Sequence, residues 1–378
     1  MHFTSLASGL AVLAGLASAH PGHDLSREIA ERRDFLSNVK RTDLSHCADK
    51  LKARGVTDRN IARRSALIEA ARVKNLPGGL KSKRDLDTVL ATDHNKTSLG
   101  YTANTDPTTL FAGYNSCLLT PEVTQGPYYV GGEYIRRNII EEQAGVDIVL
   151  DYQVIDVETC EPVPDVYLEI WHCNATGVYS GVMASGNGNS DDESNLDATF
   201  LRGIQKTSAD GVAQFESVFP GHYTGRAAHI HLLAHTNVTR YCNGTLGNEV
   251  SASHVGQTFF DQSLIAEVEA TSPYNTNTQE LTTNDEDSIL AEETATDGVD
   301  PFMEYTLLGE SVSDGLFAWL AFGINSTEVS SVTPAAFLYK EGGVANANSG
   351  MGGGNGGPPG GGNGTAPSGA PPSETSSA

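Results

Sequence analysis

The sequence predicts an all-β chain whose strands run antiparallel in a sandwich or barrel. Strand-like runs follow one another between Gln143 and Leu233. Turn residues separate these runs at short intervals, and no helical pattern lies between them. The hydrophobic content of 39% in 378 residues is enough for a packed core.

Individual strands are predicted from alternation and β-propensity. Residues 146–154 alternate between apolar and polar side chains, and residues 166–171 form a second β-rich run. An Asp-Gly pair at 210–211 separates two further runs, 202–207 and 212–219. Because Asp-Gly is a common hairpin turn, these last two runs are predicted to pair as a β-hairpin.

The N-terminal part of the chain predicts processing. Residues 1–19 carry no charge, contain an apolar run and end in Ala-Ser-Ala, as in a secretory signal peptide with its cleavage site. Residues 20–84 hold 16 basic and 8 acidic residues, contain a helical pattern at 58–75 and close with Lys83-Arg84. Two interpretations stay open for them, a basic propeptide cut after the dibasic pair or a retained helical arm.

The remaining chain divides into a domain and a tail. Residues 85–341 contain the predicted strands and form the β-sandwich domain. Residues 342–378 are rich in Gly, Pro, Asn and Ser. So few apolar side chains cannot offset the entropy lost on ordering, and the segment is predicted to be a disordered tail.

The charge distribution excludes two kinds of partner. The formal net charge is −23, with +8 on residues 20–84 and −31 on residues 85–378. Nucleic acids and anionic membranes both require clustered positive charge, so neither is an expected partner. The sequence also contains no apolar stretch of the roughly 20 residues that a transmembrane helix needs.

Sequons and cysteines agree with a secreted, extracellular glycoprotein. Cys47 lies in the basic segment, and four cysteines follow it. An even number in an oxidising compartment predicts two disulfides among those four, with three possible pairings. The later cysteines are Cys117, Cys160, Cys173 and Cys242. The six Asn-x-Ser/Thr sequons are at Asn95, Asn174, Asn237, Asn243, Asn325 and Asn363.

A His-Ile-His stretch is the first candidate for chemistry. If residues 228–233 form a strand, its period of two places His229 and His231 on one face. Neutral imidazole is the commonest metal ligand in proteins, so the pair is a candidate metal site. Two histidines making structural hydrogen bonds would be the alternative. Tyr223 and Arg226 lie directly before the pair and favour the metal site.

Several motifs in this order and spacing resemble those of the intradiol ring-cleavage dioxygenases, a family of non-haem iron(III) enzymes that open catechols between the two hydroxyl carbons. The resemblance spans roughly residues 117–262. The matching stretches are 119–122, 126–129, 171–179, 200–203, 210–211, 220–223, Arg226 and 229–231.

The resemblance implies a role for each matching residue. Tyr179 would be the tyrosinate that stays bound to iron, and Tyr223 the axial tyrosinate that the substrate displaces. His229 and His231 would be the two histidine ligands. Arg226 would be the cation beside the reacting ring. Gln257 would line the site.

The chemistry of these residue types fits a ferric ion. A free phenol has a pKa near 10, so it binds as phenolate only beside a strong Lewis acid such as Fe(III). Two phenolates and one hydroxide would balance the ion, and a catecholate dianion would keep the site neutral. The resemblance implies that both atoms of O2 enter a catechol-type substrate and give a muconate-type diacid.

Three alternatives are weighed against this interpretation. A cupin would place a glutamate shortly after the second histidine, where this chain has His235 and Thr236. An N-terminal copper site at His20 would be lost on cleavage after Arg84. A secreted prealbumin-like β-sandwich that binds ligands without catalytic iron is the remaining alternative.

Overall fold

A computed structural model describes residues 44–72, 94–95, 116–118, 126 and 128–349, with gaps at 185, 190–191, 236–237, 248–250, 295–298, 328–329 and 348. The strands are β1 Ser116–Leu118, β2 Val130–Gly131, β3 Asp147–Asp156, β4 Tyr167–Trp171, β5 Arg202–Lys206, β6 Val212–Val218, β7 His229–His235, β8 Ser251–Phe259, β9 Glu304–Leu307, β10 Leu316–Ile324, β11 Ser330–Ser331, β12 Ala336–Tyr339 and β13 Gly342–Ala345. The helices are α1 Ala48–Ala53, α2 Val56–Arg72, α3 Gln262–Glu269 and α4 Ser288–Thr294.

Two five-stranded sheets form the sandwich, so the predicted all-β class is confirmed. One sheet has the order β1-β10-β3-β6, with β9 also paired to β10, and the other has the order β11-β8-β7-β4-β5. Most pairs are antiparallel, but β10 runs parallel to β3 and to β1. A small third sheet has the order β13-β12-β2.

The core lies between the two large sheets and depends on strand alternation. On β3, Leu150 and Tyr152 point into it, and on β7, Ile230 and Leu232 do so. All four are fully buried, each burial stabilising the fold by about 1.5–3 kcal/mol. The histidines of β7 lie on its opposite face, as the two-residue period of a strand predicts.

The predicted hairpin at residues 202–219 is wrong. β5 pairs with β4 in one sheet, whereas β6 pairs with β3 in the other. The Asp-Gly turn exists, since Gly211 has φ +71° and its N–H donates to Ser208 O. A turn fixes the local reversal of the chain but not the layer that the next strand joins, and here it carries the chain across the sandwich.

The predicted helix at 58–75 is observed as α2, and it covers the outer face of the first sheet. Its buried residues recur every four positions and include two polar ones, Asn60 and Arg64. They meet polar groups on β3: Asn60 bonds to Gln153, and Arg64 and Arg63 both pair with Asp151. Although burial alone would raise the pKa of Asp151, the two guanidinium charges lower it.

The basic segment is also joined covalently to the domain. Cys47 forms a disulfide with Cys160, 113 residues away in sequence, while Cys173 and Cys242 are free. The expectation that the four later cysteines pair among themselves is therefore wrong. The N-terminal segment packs over the sheet, so Cys47 rather than a later cysteine becomes the partner of Cys160. Removal of residues 20–84 stays a prediction.

The folded part extends beyond the predicted start of the tail at residue 342. β13, Gly342–Ala345, pairs antiparallel with β12. Its glycines permit a close approach, since a Cβ on Gly343 would lie 1.7 Å from the Leu196 carbonyl oxygen. Glycine-rich composition therefore conceals a strand at this position, and the boundary of the tail moves toward the C-terminus.

Other predictions fall on residues outside those described. They are the signal peptide at 1–19, the dibasic pair, the sequons at Asn237 and Asn363, and the tail from residue 350. Within the described ranges, no helix has the length and apolar character to cross a membrane.

Candidate metal centre

Two histidines reach the centre from β7. His229 and His231 lie on the outer face of the second sheet and are 2% and 0% exposed. His231 stacks on Trp171 of the neighbouring β4, with ring centroids 4.8 Å apart. Gly126 lies against the other side, where a Cβ would come within 3.2 Å of His231 Cε1. The His231 ring is therefore fixed by its neighbours.

Tyr179 reaches the centre from the loop that follows β4. The chain reverses at Gly177, whose φ is +78°. Asn187 then holds the tyrosine backbone from both sides, because its Oδ1 accepts from Tyr179 N at 2.7 Å and its Nδ2 donates to Tyr179 O at 2.9 Å. Asn195 Nδ2 donates to the same carbonyl at 2.7 Å. Two buried side-chain amides thus position this residue in place of sheet hydrogen bonds.

Tyr223 lies in the turn between β6 and β7. Gly225, at φ +92°, allows the turn, and Arg226 N donates to Tyr223 O across it at 3.3 Å. The Tyr223 side chain is 1% exposed and packs edge-on against Tyr179, with ring centroids 5.5 Å apart.

The structure brings all four predicted ligands together. The two histidine Nε2 atoms of His229 and His231 are 3.0 Å apart. The hydroxyl oxygens of Tyr179 and Tyr223 lie 3.3 Å and 3.5 Å from His229 Nε2. Four nitrogen and oxygen donors therefore converge on one small, buried space.

The protonation of these groups favours a cation between them. His229 Nδ1 donates to Ala227 O at 2.7 Å, so the proton resides there and the Nε2 lone pair faces the centre. Burial raises the pKa of Tyr179 and of Tyr223 above the ordinary value, although the charge of Arg226 acts in the opposite direction. Phenolate at this position therefore requires a strong Lewis acid. This donor set fits a ferric ion.

Arg226 and Gln257 lie beside the four donors. Both side chains are fully buried, and Gln257, directly opposite His231 in the β7–β8 register, accepts a hydrogen bond from Arg226 Nη2. Among the described residues, Arg226 Nη1 has no hydrogen-bond partner. A buried donor without a partner costs about 1–3 kcal/mol, which makes it a ready contact for an anionic ligand.

Four other histidines of the domain make structural contacts. His222 is bound to Glu269 and to the Gln279 carbonyl, and His172 contacts Ser217. His235 pairs with Glu169, and His254 accepts from the backbone of Asn325. None of these contacts involves the four converging donors.

One further cluster has metal-ligand residue types. The ligand atoms of His46, Cys47 and Cys160 lie within 4.8 Å of one another. The two sulfur atoms are bonded to each other in the disulfide, so the cluster offers no thiolates to a metal.

Sequence reasoning missed three residues that shape the centre. Tyr128 stacks on Tyr179 with ring centroids 4.5 Å apart, and its motif had been noted without a role. Asn187 lies in a polar loop where no motif marks one amide among several. Asp287 holds Arg226 and comes from an acidic segment without periodicity, where no motif marks one carboxylate among many.

Comparisons with known proteins match the β-sandwich part of the chain to dioxygenases. A family model described as Dioxygenase matches residues 124–269. Catechol 1,2-dioxygenase 1 of Acinetobacter lwoffii is 26% identical over 145 residues, which are 32% of this chain and 43% of that protein's length. The match therefore spans less than half of that curated relative.

A solved structure gives the more extensive match. An intradiol ring-cleavage dioxygenase from Tetranychus urticae is 33% identical, and the match covers 57% of this chain and 98% of that one with a TM-score of 0.46. The identity over nearly the whole of that protein shows that the chain belongs to the intradiol ring-cleavage dioxygenase family. The resemblance predicted from the motifs is thus confirmed.

Proposed function

We propose that the chain is a secreted, non-haem Fe(III) intradiol dioxygenase that inserts both atoms of O2 into a catechol-type aromatic to give a muconate-type diacid. One observation carries the proposal: two phenol oxygens and two imidazole nitrogens converge in a buried space beside an arginine. A ligand-binding sandwich without iron would not require these groups to meet.

The four donors would hold the ion in distinct ways. His229 and His231 offer neutral nitrogens from one rigid strand, and Tyr179 is fixed through its backbone by Asn187. These three are the permanent ligands. Ferric iron, when bound, supplies the Lewis acidity that keeps the phenols and the bound catechol deprotonated.

Tyr223 and Arg226 would act on the substrate. Tyr223 lies in a turn rather than in a strand, and its buried oxygen can accept one of the two protons that a catechol loses on binding. Arg226 stabilises the negative charge that develops on the ring, and its burial strengthens this interaction. Gln257 restrains the guanidinium through Nη2.

The substrate is proposed as a small vicinal diol such as catechol or hydroxyquinol. The other buried arginine near the centre is Arg202. Its Nη2 donates to the backbone carbonyls of Tyr128 and Ser180. Arg240 is exposed. Arg226 is therefore the cation proposed to meet the diolate, and a substrate with an additional carboxylate would need a second one.

The test uses the purified secreted protein. Metal analysis should find about one iron per chain, the protein should be coloured by iron-tyrosinate absorption, and catechol should change that colour anaerobically. With isotopically labelled O2, mass spectrometry should find both labelled atoms in a ring-opened diacid. A colourless, iron-free protein that leaves catechol intact would exclude the proposal.

A further inference from the structure

A buried carboxylate outside the family-matched residues contacts Arg226, which lies beside the four donors. Asp287 is 0% exposed, and it lies 18 residues beyond the end of the matched range at 269. The proposed reaction gives it no direct role. Its contacts are nevertheless directed at Arg226, the residue that stabilises charge on the substrate.

Both oxygens of this carboxylate are engaged. Asp287 Oδ2 accepts from Arg226 Nε at 2.9 Å and from Ala227 N at 2.8 Å. Its Oδ1 accepts from two backbone N–H groups in the first turn of α4, at Ile289 and Leu290, at 2.9 Å and 3.1 Å. One side chain therefore fastens the arginine and caps a helix.

The result is a guanidinium fixed at two of its three nitrogens. Asp287 takes Nε, Gln257 takes Nη2, and Nη1 is left without a hydrogen-bond partner among the described residues. A guanidinium is planar, so two anchored nitrogens fix both its plane and the direction of the third.

We propose that Asp287 is a positioning residue: its carboxylate orients Arg226 so that Nη1 is presented to the substrate. The inference rests on the proposed dioxygenase function. It predicts that Asp287 contributes to turnover only through Arg226. A residue that merely supports the fold would contribute independently of Arg226.

The experiment is a double-variant cycle on full-length, iron-loaded protein. Asp287→Asn should lower kcat about tenfold to a hundredfold, because misdirected groups lose catalytic effect steeply. Iron content and the anaerobic binding of catechol should change less than about threefold. In an Arg226→Met background the same change should cost less than about twofold in kcat. Losses that multiply in the double variant would overturn the inference.

A second variant separates the cap from the ion pair. Asp287→Ser retains an N-cap oxygen for α4 but removes the charge beside Arg226, so it should lose kcat like Asp287→Asn. Wild-type kcat in Asp287→Ser would overturn the inference. Asp314→Asn is the matched control, because Asp314 caps the exposed turn at 312–314. It should behave as wild type.

Unfolding of the metal-free protein gives a readout independent of activity. Asp287→Asn and Arg226→Met should each lower the urea midpoint. The double variant should lose much less than the sum of the two single losses, because both buried partners are then removed together. Strictly additive losses would show that the pair is not coupled and contradict the inference. If wild type binds iron but never cleaves catechol, the proposed function fails instead.

Discussion

The Cys47–Cys160 disulfide should supply a large part of the stability of the uncut chain. The bond closes a loop of 113 residues. Loop-closure entropy for that length is worth about 5 kcal/mol at 25 °C, acting on the unfolded chain. Domains of this kind have total unfolding free energies of about 5–15 kcal/mol, so the loss would be substantial.

The perturbation is the double variant Cys47→Ser with Cys160→Ser, made with Lys83 and Arg84 changed to alanine so that the chain stays whole. Urea unfolding should show a free energy lower by about 3–5 kcal/mol, because strain and residual structure usually reduce the theoretical value. Cys242→Ser is the control, since that thiol is free and exposed. Equal stabilities for the double variant and its parent would refute the reasoning.

Three further predictions concern the centre and the domain. His229→Ala should lose most of its bound iron by metal analysis; full iron with continued catechol oxidation would contradict the ligand assignment. Tyr223→Phe should retain iron but shift the visible absorption and slow turnover; an unchanged spectrum would contradict its coordination. Burial alone would lower the pKa of His94, but hydrogen bonds and charges from Asp261 and Asp300 raise it to about 9, from 6.5 when unfolded. Because the pKa is higher in the folded state, His94 adds about 3 kcal/mol to the free energy of unfolding below pH 6.5, and this contribution is lost as the pH rises through 9. Urea unfolding from pH 6 to 10 should show this fall in wild type and not in His94→Gln.

Sequence reasoning succeeded where a local pattern determines the outcome. Alternation on β7 placed His229 and His231 on one face, and the resemblance to the family assigned Tyr179 and Tyr223, which the structure brings to the same place. These successes depend on residues close in sequence or on the resemblance to a family. Neither requires knowledge of how distant segments pack.

The errors came from long-range choices. Nothing local at residues 202–219 reveals that the two strands join different sheets. The partner of Cys160 depends on how the N-terminal segment packs, and Arg63 and Arg64 of that segment pair with Asp151 on the sheet. A buried arginine can be recognised only when the carboxylate across from it, here Asp151, is known.

The hydrogen bonds from Asn187 and Asn195 to the Tyr179 backbone limit which residues of this loop can change during evolution. Asn187 and Asn195 hold the Tyr179 backbone, while Asp192 accepts a hydrogen bond from Asn195 N and caps the turn in which Asn195 lies. The freedom of this loop to change is therefore confined to exposed side chains such as Glu193, because a Cβ on Gly188 would also lie 2.9 Å from the Val178 side chain. Variants that change Glu193 and retain both amides should therefore stay folded and keep the colour expected of the centre.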